Sequence, residues 1–377
     1  MEKSHTDVLL LHQTNALAFV RKTAQARKSI ARATIRKCLE DAGVQEGVFE
    51  QAMSVVRSHA RVVLHFHPER LSSRWTSVAE GLLNEGIYRS QFETGLSSGG
   101  PTAFPGGDRD LWEQRLFGGA YHVPGTDLAD RPKYGSLEII RHPDGPSPRF
   151  GSCYLVLRPE VGHRSTFTFG GSQEDQALEQ TGTLEKLDPA MAALLEEVGK
   201  GRGALGVDRL GISDLLEWMI RELPGPFLDP SCRPLGRALD SFVEAQVHGT
   251  VTMSEDVERL VADPSFLGSP VGEILKSIAF RFGFPLHWHP GFTLAVDRVP
   301  ENFRGYAVRP LAVRIAGKGI LDAAKIGEVA NCLWRDPESW KGWGSFDENL
   351  TRFRRLWHVM VLYGSPSPAA SGWECRY

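Results

Sequence analysis

The period of the apolar positions changes along this chain, and the changes mark its elements. Residues 6–60 contain no proline and are rich in Ala, Leu, Arg, Lys and Gln, which predicts helix almost throughout, interrupted at Gly43 and Gly47. Short runs rich in Val, Ile, Phe, Tyr and Thr, bounded by Gly, Pro or Asp, then predict strands. These are Arg61–Phe66, Ile87–Phe92, Gly135–Ile140, Ser152–Leu157 and Arg164–Phe169. Between them the pattern predicts a helix over Thr76–Asn84 stopped by Gly86, and another over Asp108–Leu116 with Asp108 as N-cap. Further on, Leu187–Val198 and Ile212–Leu223 read as helices, and Ser241–Val247 alternates as a strand. Thr252-Met-Ser-Glu255 matches a capping box and predicts a helix to about Ala262. Val271–Phe282 reads as helix and Tyr306–Ile315 as strand; Ala323–Trp334 and Leu350–Tyr363 read as closing helices. Strands gathered in the middle with helices at both ends predict an α+β chain.

Composition narrows the class without deciding it. At 377 residues, 41% hydrophobic, 24% charged and with a net charge of −3, the chain has the make-up of an ordinary globular protein. No run approaches the ~18 consecutive apolar residues of a membrane span. Val8–Leu11 is too short for a signal-peptide core. The five cysteines are scattered with no Cys-x-x-Cys, which predicts reduced thiols in a cytoplasmic protein. Near-neutral charge gives no general case for nucleic acid. Arg21–Lys37 carries seven basic residues and no acid, and Lys28, Arg32 and Arg36 share one helix face. That face is either solvated or a patch for an acidic partner.

Among motifs, two matches fail on context. Gly201-x-Gly203-x-x-Gly206 follows a helix, whereas a dinucleotide fingerprint must leave a strand. Gly95-x-Ser97-x-Gly99 is followed by Gly100-Pro101, which cannot open the helix that a nucleophile elbow needs. His65 and His67 project to one face of a strand, as do His287 and His289, so four imidazoles could bind a metal, satisfy hydrogen bonds at strand ends, or line a ligand site. Glu244-x-Gln246-x-His248 places three polar groups on one strand face, and a carboxylate there needs either partners or a purpose. With Arg70, Arg89 and the hydroxyls of Ser90, Thr94, Ser97, Ser165 and Thr166, it suggests a cleft for a phosphate-bearing ligand. One carboxylate placed where positive charge develops suits cleavage of a glycosidic bond.

The segments HFHPER (65–70), YRSQFETGLSSGG (88–100), RPKYGSLE (131–138), GSCYLVLRP (151–159), FVEAQVHG (242–249), VADPSFLGS (261–269) and PLHWHPGF (285–292) resemble an uncharacterised bacterial family related to the CteC-like effectors. Those effectors are ADP-ribosyltransferases that modify a threonine of host ubiquitin. The resemblance spans roughly Val55–Tyr363. The chain divides into a helical N-terminal region (1–60) outside the resemblance, a catalytic domain (61–365) for which the resemblance implies a split β-sandwich with flanking helices, and a C-terminal tail (366–377). The resemblance also implies NAD as cosubstrate, a monomer, a protein hydroxyl as acceptor, and delivery without a cleavable signal peptide. Glu244 would match the late catalytic glutamate of that fold. His65 to Arg70, or Arg89, would match its early element, and Ser165-Thr166-Phe167 its middle one. Ser90, Gln91, Phe92, Thr94, Ser97, Gln246 and His248 would complete the NAD site. The chain departs from the Glu-x-Glu of arginine-directed enzymes, having Glu244-x-Gln246, and it has no Ser-Thr-Ser. The readings from other classes are a metal-dependent hydrolase on His65, His67, His287 and His289, and a non-enzymatic binder using Arg21–Lys37.

Overall fold

The computed structural model describes residues 9–72, 75–96, 102–227 and 234–368. Two helices open the chain, α1 (Leu11–Asp41) and α2 (Glu46–His59), with Gly43 in the left-handed region at the turn between them. Strand β1 (Arg61–Phe66) follows, then α3 (Val78–Glu85), β2 (Ile87–Tyr88), α4 (Gln91–Thr94) and α5 (Asp108–Leu116). The middle of the chain supplies β3 (Lys133–Glu138), β4 (Cys153–Leu157), β5 (Ser165–Phe169), β6 (Thr181–Thr183), α6 (Asp188–Gly199) and α7 (Ile212–Glu222). After these come β7 (Val243–Val247), β8 (Val251–Thr252), α8 (Met253–Asp256), β9 (Val257–Ala262), α9 (Pro270–Phe282), β10 (Leu286–Trp288) and β11 (Leu294–Ala295). The last elements are α10 (Val308–Ala316), β12 (Ile320–Leu321), α11 (Ala323–Arg335) and α12 (Phe346–Tyr363).

Eight strands form one sheet in the order β10-β9-β4-β1-β3-β7-β5-β6, while β2 pairs with β8 and β11 with β12. Every pair in the large sheet is antiparallel except β9 with β10. The fold class is α+β, as the clustering of strand-like runs predicts.

Alternation gives the sheet two different faces. Val62, Leu64, Phe66, Leu137, Leu155, Val243, Ala245 and Val247 point into the main core. Residues of α2, α6, α7 and α9 bury their apolar stripes in the same cluster, for example Leu215, Leu216 and Met219 of α7. The other face carries polar groups: His65, Ser136, Glu244, Gln246, Thr166 and Thr168 are all buried there. A core face of aliphatic side chains thus fixes the register, and the register brings Ser136, Glu244 and Thr168 side by side across three strands.

The structure corrects four readings of local structure. The predicted strand over Ile87–Phe92 ends at Tyr88. Ser90 instead accepts from the Glu93 N–H as an N-cap, Glu93 reaches back to the Ser90 N–H, and Gly95 stops the turn in the left-handed region. The predicted strand Tyr306–Ile315 is helix α10, whose Val308, Leu311 and Ala312 are buried at helical spacing while Pro310 sits in the first turn, where no N–H is needed. The predicted helix after Thr252 lasts one turn. Asp256 takes the Thr252 N–H, and Val257–Ala262 is drawn between β4 and β10 as β9. The N-cap of α5 is Gly107, with Asp108 as its first residue.

Three of the seven cations in the N-terminal basic stretch, Arg27, Arg32 and Arg36, have acidic partners within the molecule. Arg32 pairs with Asp188 at 3.0 Å and with Glu50, and it lies over Phe49. Arg27 pairs with Glu179 at 2.8 Å, and Arg36 stands 3.9 Å from Glu46.

Candidate functional site

On the polar face of the sheet, β1, β3 and β7 form the floor of a cavity of about 170 Å³, roofed by α3, α4 and α5. Glu244 projects into it from β7, 7% exposed. Its Oε1 accepts from the Ser172 N–H at 3.2 Å and from Gln246 Nε2 at 2.9 Å. Burial pushes the carboxyl upward from its ordinary range, against the hydrogen bonds from Gln246 and Ser172 and the charge of Arg109.

Two guanidinium groups reach the cavity without an ion pair to any described carboxylate. Arg70 follows the His67-Pro68-Glu69 turn and forms no side-chain hydrogen bond or ion pair among the described residues; burial lowers its pKa. Arg109, from α5, is 8% exposed and lies over the Tyr134 ring at 4.4 Å and the Trp112 ring at 5.5 Å. Its buried Nε has no hydrogen-bond partner. Tyr134 itself donates to Glu113 at 2.8 Å, and Arg131 joins Glu113 to Asp110, so the ring beneath Arg109 is held from behind. Lys133 adds a third cation: its Nζ donates to the Ala129 carbonyl at 2.8 Å, and burial lowers its pKa to about 8.

His65 forms part of the opposite wall. Its Nδ1 lies 3.2 Å from the Gly151 carbonyl, and its Nε2 accepts from the Ser147 N–H at 3.4 Å. Burial lowers its pKa to about 3, so the ring is neutral. Gly145, in the left-handed region at φ +76°, allows this approach, since a Cβ there would stand 2.5 Å from His65 Nε2.

The residues expected in the site therefore separate into groups. Glu244, His65, Arg70, Arg89, Gln91 and Thr94 line the cavity. Arg89, however, is ion-paired to Glu85 and to Glu93, so it is spent on joining α3 to α4. Ser90 turns its hydroxyl to the Leu128 carbonyl at 2.9 Å, and Phe92 packs under the Arg131 guanidinium. Ser165 donates to the Val161 carbonyl. Gln246 and His248 lie behind Glu244 rather than in the cavity, and Ser97 lies outside the described residues. Arg109, Lys133, Tyr134 and Tyr88 were not anticipated from sequence; all four line the cavity.

The four histidines do not converge. His289 uses both nitrogens, Nε2 toward the Ser152 carbonyl at 2.8 Å and Nδ1 as acceptor from the Gly291 N–H at 3.0 Å. His287 packs on Phe227. Among the described residues no three His, Cys, Asp or Glu side chains gather as a metal requires. Nor is any helix there long and apolar enough to cross a membrane.

Residues 61–363 match a family model described as a protein of unknown function, DUF3626, running from the first residue of β1 to the last of α12. The chain belongs to this family. It is also similar to the Gene 2 protein of Mycobacterium phage D29, 37% identical over 127 residues, which is 33% of this chain and 39% of the phage protein. To the Gene 2 protein of Mycobacterium phage L5 it is 29% identical over 185 residues, 48% of this chain and 59% of the relative. The chain thus matches well under two thirds of the length of either phage protein.

Proposed function

We propose that this protein is a mono-ADP-ribosyltransferase that moves ADP-ribose from NAD to a hydroxyl side chain of an acceptor protein. The observation that carries the reading is a buried carboxylate, Glu244, facing a cavity that also holds the Arg70 and Arg109 guanidinium groups, neither of them ion-paired to a described residue. Two cations with no ion-pair partner among the described residues suit an anionic ligand, and Glu244, the lining carboxylate not taken up by Arg89, suits a centre that becomes positive during reaction. The enclosed volume is below the ~300 Å³ at which pockets for drug-sized ligands begin. It suits one end of NAD, nicotinamide and its ribose, with the diphosphate toward Arg70.

In this mechanism the bond from ribose C1′ to the nicotinamide nitrogen breaks and its electron pair leaves with neutral nicotinamide. The C1′ oxocarbenium that results is stabilised by the Glu244 carboxylate, which also holds a ribose hydroxyl. The acceptor oxygen attacks C1′ and its proton passes to solvent. The early element on β1 and the late glutamate on β7 are separated only by β3, so both reach the same cavity. Thr166, expected as part of the middle element, instead supports Glu244 from behind through Gln246.

The test incubates the protein with NAD labelled in the adenylate, plus ubiquitin or a cell lysate, and measures labelled protein and free nicotinamide. Both are expected from the wild type, and a loss of at least about 100-fold in Glu244→Gln, the order found when a charge-stabilising group is removed. No nicotinamide release by a folded wild type, or equal release by the variant, sinks the proposal.

A further inference from the structure

A polar network runs behind Glu244, and its donors all point the same way. Gln246 Nε2 lies 2.9 Å from Glu244 Oε1, so with Glu244 ionised the amide must present its N–H there. The amide oxygen of Gln246 then faces Thr166 Oγ1 at 2.7 Å and must accept from that hydroxyl. Having given its proton to Gln246, Thr166 can only accept from His248 Nε2 at 3.3 Å, which places the imidazole proton on Nε2. His248 Nδ1 is left bare and accepts from the Tyr121 hydroxyl at 2.6 Å. The two rings are within 8° of parallel, with centroids 6.0 Å apart. All of these side chains are at least nine-tenths buried.

A side branch reinforces the direction. Thr181 donates to the Ala177 carbonyl at 2.5 Å, so Thr168, 2.7 Å away, must donate to Thr181. Thr168 is then an acceptor for the second N–H of Gln246 at 3.2 Å. Both amide hydrogens of Gln246 are used, one on Glu244 and one on Thr168, and a flip of the amide would break both bonds.

We propose that Tyr121, His248, Thr166 and Gln246 form a one-way relay of hydrogen-bond donors that positions Glu244 as an anion and ties the tautomer of His248 to the ionisation of that carboxylate. They are positioning residues, since none of them reaches the cavity. Protonating Glu244 on Oε1, the oxygen that Gln246 contacts, reverses every link. The carboxyl O–H donates to a flipped Gln246, the amide N–H to Thr166, the Thr166 hydroxyl to His248 Nε2, and His248 Nδ1–H to Tyr121. The Thr168 branch resists that reversal, so the relay favours the carboxylate against the burial that disfavours it. Two further features keep the relay intact: burial holds His248 neutral, with its pKa lowered to about 3, and raises the Tyr121 phenol well above its ordinary value. The outer end meets the N-terminal helix, where Tyr121 packs against His12 of α1 at 5.7 Å.

The experiment is nitrogen NMR of the full chain with labelled histidine, alongside carbon NMR of labelled glutamate, with His248→Gln and Glu244→Gln used to assign the signals. At the alkaline end of the Glu244 titration His248 is expected with its proton on Nε2 and a hydrogen-bonded, bare Nδ1. As Glu244 takes up a proton, the tautomer changes with the same midpoint. Thr166→Val is expected to raise the Glu244 midpoint and uncouple the two titrations, and Thr166→Ser to restore both. An Nδ1-protonated His248 alongside ionised Glu244, or a Thr166→Val variant with both signals unmoved, overturns the relay. If Thr166→Val fails to fold, Tyr121→Phe tests the outer link, expected to remove the Nδ1 hydrogen-bond signature. The kinetic arm rests on the NAD reading: Thr166→Val moves the acid limb of kcat to higher pH and leaves KM for NAD unchanged. A wild type that does not turn over NAD removes that reading, and the two NMR signals still decide the relay.

Discussion

Replacing Arg109 by methionine separates what a residue does for a ligand from what it does for the fold. Arg109 is 8% exposed, has no ion pair among the described residues, and leaves its Nε without an acceptor. An orphaned buried donor costs about 1–3 kcal/mol. Against this, the faces of Tyr134 at 4.4 Å and Trp112 at 5.5 Å give back about 0.5–2 kcal/mol. Methionine keeps the length and the contact with the two rings while removing the unsatisfied donors. The ligand-free variant is therefore expected to be more stable by about 1 kcal/mol, a rise in Tm of about 1–2 °C for a chain of this size. Binding moves the other way. A charge-assisted contact to a phosphate or carboxylate contributes about 1.5–3 kcal/mol, so the variant should bind NAD about 10- to 150-fold more weakly. Thermal unfolding with and without NAD reads both effects together. At a concentration of 100 times the wild-type Kd, NAD stabilises the wild type by about 2.7 kcal/mol, and a 100-fold weakened variant by about 0.4 kcal/mol. A variant that melts several degrees lower yet keeps the full NAD-dependent shift would show that Arg109 is a structural cation, and the reasoning about the cavity would fail.

Two further expectations concern the supports of the site. Gly145→Ala places a Cβ 2.5 Å from His65 Nε2 in a backbone that L-residues enter at a cost of about 1–2 kcal/mol; strain and clash together should remove more than about 2 kcal/mol. Chemical denaturation checks this, and an unchanged midpoint would show that the His65 wall can yield. Glu69 is buried, and burial raises its carboxyl from 4.5 to about 7. A group whose folded pKa lies above its unfolded value stabilises the fold below the lower value, and that contribution is lost as pH rises to the higher one. Glu69→Gln should therefore remove a fall in stability between about pH 4.5 and 7, measured as denaturation midpoint against pH; curves that stay parallel would refute the assignment.

Strands β1, β3, β4, β5 and β7 of the large sheet were legible because they carry an aliphatic alternation that only the core face satisfies, whereas β9 read as helix and β6 went unread. Glu244 was legible for the same reason, as an acid at a position where the neighbouring strand residues are buried. The local errors came where two signals share the same residues. Ser90-x-x-Glu93-x-Gly95 holds both a capping box and a left-handed stop, but Tyr88 and Phe92 at its edges read as strand. The apolar run of α10 contains Val308, Leu311 and Ala312 at helical spacing beside the β-branched Val313 and Ile315, and the branched residues misled. Arg109 had no sequence signal at all. Between Asp108 and Asp110 it reads as a helix surface, and only the pairing of β3 with β7 brings Tyr134 beneath it and Glu244 nearby. Depth was equally invisible: Glu244, Gln246 and His248 share a face, but which of them meets the cavity depends on α5 and the turn bearing Tyr121 closing over the far end of β7.

The twin His-x-His-Pro sequences gain their meaning from what lies between them. His65 contacts the Tyr154 ring at 5.0 Å, and Tyr154 stacks on His289 at 6.5 Å. The series continues through Phe292 to Trp357, which meets His67 at 5.1 Å. The ends of β1 and β10 are thus joined across β4 and β9 by a band of rings, and Trp357 is itself tied to the Pro148 carbonyl at 2.8 Å. Such a band holds the backbone that follows His67. The Arg70 N–H returns to the His67 carbonyl at 3.4 Å, its carbonyl accepts from Val78 at 2.9 Å, and Asn331 clasps the Glu69 carbonyl at 2.8 Å. Arg70 therefore leaves a fixed turn and lines the cavity with a guanidinium that has no ion pair among the described residues. An unpartnered arginine held that firmly is the arrangement for receiving an anion, because the entropy of ordering its backbone has been spent in folding rather than on binding. The histidines serve the site by holding the arginine that follows them.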